Sequence, residues 1–199
     1  METALEHSEH PFELEPQVKV ARAKAGVLML IISDALSVLA ILAAGGYLSA
    51  LNTENQFKVA GDFAPPFVAN LIIMIVLLLS GLAYFGWERG ARRNNGEGQS
   101  AFFLVSLVLM LAAGVAETWI GAALRYGIPI HAYESMILLI TWFTALHLLL
   151  TVIVGILLGG RILRGRLTGQ AYLIEAGGYW WYYIVVSSIL LWIFSLVAI

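Results

Sequence analysis

The chain has 199 residues, of which 60% are hydrophobic and only 12% charged, with a formal net charge of -2 and no cysteine. An ordinary soluble domain carries about 25% charged residues, so the composition excludes one and indicates an integral membrane protein. The absence of cysteine excludes a disulfide framework, a thiolate nucleophile and a Cys-ligated metal.

Residues 1–24 contain Glu2, Glu6, Glu9, Glu13 and Glu15 with Pro11 and Pro16, and no apolar run fit for a signal-peptide core. They read as a solvated acidic tail, in which His7 and His10 have the spacing of two ligands on one helical face but lack a stable helix to carry them. Five apolar runs follow, at 25–52, 63–87, 100–124, 132–160 and 172–199. Each is long enough to cross a bilayer core, because about 20 residues at about 1.5 Å per residue span about 30 Å. The connections are about a dozen residues or fewer, too short for an extramembrane domain. The predicted fold is therefore all-α, a polytopic bundle of five transmembrane helices.

Basic residues set the expected orientation. Lys19, Arg22 and Lys24 precede the first span, Arg89, Arg92 and Arg93 lie between the second and third, and Arg161, Arg164 and Arg166 between the fourth and fifth. Only Lys58 and Arg125 fall on the other side, so the positive-inside rule predicts a cytoplasmic N-terminus and an outside C-terminus.

Polar residues inside or at the edges of the spans, Asp34, His147, Glu117, Glu134 and Glu175, are the candidate functional groups and are expected to form an intramembrane polar network, since each must pair or neutralise itself in hydrocarbon. The stretch 135–160 carries no Asp, Glu, Lys or Arg, and its one ionisable side chain is His147. Asp34 breaks the first span at a depth that matches His147 to within about one helical turn. The two are predicted to meet or share a polar pocket; the alternative is separate satisfaction by hydroxyls such as Ser33, Thr141 or Thr151. Glu117 and Glu134 form a second, outer level, with Arg125 and His131 in the turn between them. An ion pair from Arg125 to either carboxylate is expected there, a proton-conducting role being the alternative. Glu175 precedes the run Tyr179 to Tyr183, which reads as an interfacial aromatic belt in which Trp180, Trp181 and Tyr182 face lipid or a neighbouring subunit, the alternative being a face that lines a lipid-filled groove. Gly155 and Gly159 form a GxxxG face, and Gly45, Gly46, Gly114 and Gly121 offer similar low relief for helix packing or a subunit contact.

Self-contained chemistry finds little support. His131 and His147 lie on one span about 24 Å apart and cannot bracket a haem. No HExxH, GxSxG or phosphate-cradling glycine loop is present, so metalloprotease, serine hydrolase and nucleotide chemistry lack their parts. Five spans do not divide into the paired repeats of a secondary transporter. No catalytic residue, metal site, resident cofactor or nucleic-acid partner is expected, and an accessory subunit is the remaining class.

The residues resemble subunit III of haem-copper terminal oxidases in its five-span form. In the first span, Ile32-Ser33-Asp34-Ala35-Leu36 resembles that subunit's Ser-Glu pair, with Asp34 in place of Glu. In the fourth, Tyr133, Ser135, Thr141, Phe143 and His147 agree with its Tyr-Gly-Ser, Phe-Phe and Thr-Gly-Phe-His-Gly-x-His pattern. Glu175 with Trp181 resembles the Glu ahead of its Tyr-Trp-His-Phe-Val-Asp, and Glu117 the carboxylate of its Glu-Tyr. Thr144, Trp142, Glu134, Tyr182 and Val185 depart from the pattern, which marks a divergent member.

The resemblance implies a non-catalytic, cofactor-free subunit in the inner (plasma) membrane of a prokaryote. It would pack against oxidase subunit I, whose complex holds the haem and copper, support proton uptake, and bind phospholipid in a V-shaped cleft between two and three helices. Asp34 would bind a lipid headgroup or buffer protons near a neighbour's uptake path. The related accessory subunit of nitric oxide reductase is the nearest alternative. A small proton channel or transporter using Asp34, Glu117 and His147 is the alternative from another class.

Overall fold

A computed structural model describes residues 15–52, 57–59, 62–63, 66–93, 99–124, 131–164 and 171–197. It contains five helices: α1 (Pro16–Ala50), α2 (Phe67–Arg92), α3 (Gln99–Leu124), α4 (Ala132–Leu163) and α5 (Ala171–Val197). All five are long and apolar enough to cross a membrane. Helices are the expected answer, because hydrocarbon offers the backbone no hydrogen-bond partner and each helix closes its own.

Several boundaries differ from the sequence reading, most of all those of α1 and α2. α1 begins at Pro16, nine residues before the apolar run, so the last part of the expected tail is helical. Proline suits the first helical turn, where its missing N–H would be unbonded anyway, and the following Val, Ala, Arg and Lys residues extend the helix into the polar zone. α2 starts after Pro66 and runs on through Glu88 to Arg92, past the expected end at Trp87. The first fourteen residues, with His7 and His10, lie outside the described residues.

The helices α2, α3, α4 and α5 form a closed ring, each packed against the next and α5 against α2. Consecutive members are antiparallel: Trp87 of α2 packs on Phe103 of α3, and Gly121 of α3 faces Thr141 and Trp142 of α4. Their axis is filled by Leu77, Met110, Leu148, Trp181 and Ile184, all essentially inaccessible. α1 stands outside the ring, parallel to α5, and touches α4 over a short length through Val38, Ile41, Met136 and Ile140. Its other faces expose Leu28, Met29, Leu30, Ile32, Leu36 and Leu39. The arrangement is four helices plus one, not the expected cleft between groups of two and three.

α5 organises the ring. Successive residues of a helix are turned by about 100°, so the five aromatic residues 179–183 point in all directions around its axis. Each finds an acceptor. Tyr179 donates to Glu175 on its own helix at 2.6 Å, Trp180 to Thr151 of α4 at 3.1 Å, and Trp181 to Ser80 of α2 at 3.1 Å. Tyr182 donates to Glu88 of α2 at 2.7 Å and Tyr183 to Asp34 of α1 at 2.7 Å. The expected interfacial belt is therefore corrected: Trp181 is wholly buried, Trp180 is 7% exposed, and the run works as a hub of donors inside the protein. Helices α1, α2 and α4 surround it, and a buried indole or phenol needs a partner for its polar end.

Of the glycines singled out by sequence, all but Gly46 are likewise occupied within the chain. A Cβ at Gly155 would meet Leu107 and Trp181, and one at Gly159 would meet Phe103, so the GxxxG face packs α4 on α3 and α5 and is not an open subunit contact. The tightest approach to rigid neighbours is at Gly177, where a Cβ would lie 2.7 Å from the Tyr84 hydroxyl and 2.9 Å from Leu158. Tyr84 is fully buried and donates to the Ile174 carbonyl at 2.9 Å, so it has little room to yield. Gly177→Ala should therefore lower unfolding stability in detergent by about 1–3 kcal/mol relative to Gly46→Ala, whose Cβ meets nothing within 4 Å. The helix-propensity gain of about 1 kcal/mol is common to both and cancels in the comparison.

Candidate functional site

The fourth helix delivers His147 to the α1 seam with its ring already oriented. Nδ1 lies 2.7 Å from the carbonyl of Phe143, one turn earlier on α4, and the Phe143 ring lies against the imidazole at 4.1 Å between centroids. A carbonyl only accepts, so Nδ1 carries a proton and donates it. The other nitrogen, Nε2, lies 2.7 Å from Oδ1 of Asp34. That contact also needs a proton, either on an imidazolium facing a carboxylate or on a carboxylic acid facing a neutral imidazole. Both states carry no net charge, which is the condition for placing an acid and a base together in lipid.

Asp34 is held from the other side by the Tyr183 hydroxyl, which donates to Oδ2 at 2.7 Å. Behind the imidazole, the Thr151 hydroxyl donates to the His147 carbonyl at 2.8 Å and accepts from the Trp180 indole. The site joins α1, α4 and α5, with about 13% of each side chain of the Asp34–His147 pair accessible. Chemically it can hold one proton between two oriented groups and exchange it with a neighbour through the accessible edge.

The sequence reading brought Asp34 and His147 together by depth, and the structure places them in direct contact. Tyr183 was missed as their third partner. Span alternation alone makes α5 parallel to α1, but the Lys24–Glu175 pair that sets their register, and so brings Tyr183 level with Asp34, is visible only in the structure.

The other expected members of one polar network are elsewhere. Glu175 sits at the arginine-bearing end of the bundle, 2.9 Å from Lys24 of α1 and 3.6 Å from Arg92 of α2. Arg92 also pairs with Glu88 one turn earlier at 2.6 Å. Glu88 is buried, and the sequence reading overlooked it by ending the span at Trp87; its i, i+4 spacing to Arg92 was the available clue. Glu134 lies at the opposite end, where it accepts from the Phe63 backbone N–H at 3.3 Å. Nearby, Phe57 packs edge-on against Tyr133 with centroids 6.0 Å apart, and His131 approaches Asp62 at 3.8 Å. The expected ion pair from Arg125 lies outside the described residues. Glu117 is buried on α3, in the ring and away from the loops, with Oε2 lacking a hydrogen-bond partner among the described residues. The single network is thus corrected to separate sites, because residues at similar hydropathic positions lie on different faces and at opposite ends.

Among the described residues, no group of three or more His, Asp or Glu side chains could hold a metal ion. In comparison with known proteins, the chain matches no family model and no curated protein sequence.

Asp34 and His147 are expected to be energetically coupled. A double-mutant cycle of Asp34→Asn and His147→Gln, read by unfolding in detergent, should give a coupling of about 1–2 kcal/mol, toward the upper end for membrane hydrogen bonds because a full proton is shared. Coupling near zero would show that the contact does not hold in the folded protein.

Proposed function

We propose that the chain is an accessory, non-catalytic subunit of a haem-copper respiratory oxidase, of the subunit III kind, in a prokaryotic plasma membrane. In this reading the arginine-bearing end faces the cytoplasm, in keeping with the positive-inside bias. The observation that carries the reading is the contact between Asp34 and His147. These are the two ionisable positions through which the first and fourth spans resemble that subunit, and they are 113 residues apart in sequence. Their convergence on one proton-sharing pair supports the reading, because it gives two residues far apart in sequence a common physical role.

The physical properties of the pair suit the role. A site that holds a proton with no net charge can buffer proton movement beside a catalytic neighbour without placing an ion in lipid. Its accessible edge and the uncovered faces of α1 leave room for a partner subunit or for phospholipid. Haem, copper and oxygen chemistry belong to the partner chains in this reading.

Gentle purification through an affinity tag on this chain tests the assignment. An oxidase partner brings haem and copper in the absorption and metal analysis, whereas a nitric oxide reductase partner brings haem with non-haem iron. Recovery of the chain alone, without haem-bearing partners, would overturn the proposal. Within the complex, Asp34→Asn, which can still hydrogen-bond to His147 and Tyr183 but cannot share the proton, is expected to leave assembly intact and to shorten the period over which turnover is sustained. An unchanged working life would remove Asp34 from the role.

A further inference from the structure

The ring of four helices carries two polar levels built on the same plan. At the first, Ser80 of α2 donates to the Ser106 carbonyl at 2.8 Å, and Ser106 of α3 returns a bond to the Ser80 carbonyl at 2.9 Å. The Trp181 indole of α5 donates to the Ser80 hydroxyl at 3.1 Å. This level is closed by direct protein contacts.

Ten residues away on α2 and eleven on α3 and α5, the inside of the ring presents Asn70, Glu117 and Trp192. Eleven residues are close to three turns, so this second level lies about 16 Å along the bundle. Here direct closure fails. Asn70 Oδ1, Glu117 Oε2 and Trp192 Nε1 are all buried and have no hydrogen-bond partner among the described residues. Asn70 is 6% exposed and Glu117 is 5% exposed. All three side chains line one cavity, which Thr141, Thr144 and Ser188 also border and which offers about 20 Å³ to the centre of a water molecule. One water needs roughly 10–15 Å³ by that measure.

We propose that this cavity binds a single water molecule, which accepts the Trp192 indole N–H and donates to Asn70 Oδ1 and Glu117 Oε2. Two orphaned acceptors and one orphaned donor are the complement of one water, with its two protons and a lone pair. A metal cation is a poorer fit, because the indole N–H turns its positive end toward the cavity. The water ties α2 to α3 and α5. Since α3 and α5 face each other across the ring without packing directly, it does at this level what Ser80 does at the first. It also gives the Glu117 carboxyl the hydrogen bond that its buried position demands.

The test is nuclear magnetic resonance on the full chain in lipid nanodiscs with 15N-labelled tryptophan, the indole signals being assigned by single Trp→Phe replacements. Cross-relaxation from water to the Trp192 indole proton should be several-fold stronger than to that of Trp181, whose N–H is given to Ser80. Glu117→Gln should retain the signal, since the amide oxygen still accepts; Asn70→Leu combined with Glu117→Leu should abolish it. Equal signals at Trp192 and Trp181 would overturn the proposal. So would loss of the signal in Glu117→Gln, which would trace it to the carboxyl proton, or a saturable shift of the Trp192 resonance with added sodium, which would assign the site to a cation. The wild-type comparison and the near-isosteric Gln variant decide the matter even if the double leucine variant does not fold.

Discussion

Hydrocarbon does not solvate a polar group, and that constraint shapes each buried contact in this protein. Asp34 does not stand alone in lipid: it faces His147 across a shared proton and takes a second bond from Tyr183. Ser80 and Ser106 exchange hydrogen bonds with each other's backbone, and Glu88 receives both Arg92 and Tyr182. The cost of leaving any one of these groups unpaired is several kcal/mol by the general scale for burial without a partner, about 2–7 kcal/mol. Packing of apolar side chains fills the space between them. It selects the arrangement less sharply, because lipid tails are as apolar as the helices they would replace.

The fifth helix shows how the constraint becomes architecture. Its residues 179–183 are all Tyr or Trp, side chains that combine a large apolar body with a donor at the tip. Placed at the centre of three neighbouring helices, they reach Thr151 on α4, Ser80 and Glu88 on α2, and Asp34 on α1. Gly177 and Gly178 precede this run, where Tyr84 and Glu88 of α2 come too close for a side chain. The hub and the small residues are two halves of one solution: glycine lets α2 approach, and the aromatic donors then satisfy what that approach buries.

The proton-sharing pair of Asp34 and His147 ties the one helix outside the ring to two of its members. α1 packs along α5 and touches α4 along a short seam, and the pair, the Tyr183 bond and the ion pair of Lys24 with Glu175 add polar attachments to that packing. The proton-holding site therefore lies at the junction between the closed ring and its outlying helix. The same junction leaves the aliphatic faces of α1 available to lipid or to another subunit.

The sequence by itself determined what lies along each helix axis. Five spans, their order and the equal depth of Asp34 and His147 all follow from a constant rise per residue, and that geometry holds whatever the helices pack against. The lateral arrangement is a different matter. An aromatic run at a helix end has the same letters whether it lies at the headgroups or inside a bundle, and only the placement of α1, α2 and α4 around α5 made residues 179–183 an internal hub. Glu175 and Glu117 similarly read as members of one polar set, and packing sent one to the basic rim and the other to the ring. Depth is a one-dimensional property written in residue number; the direction in which a side chain points relative to its neighbours exists only once the helices have met.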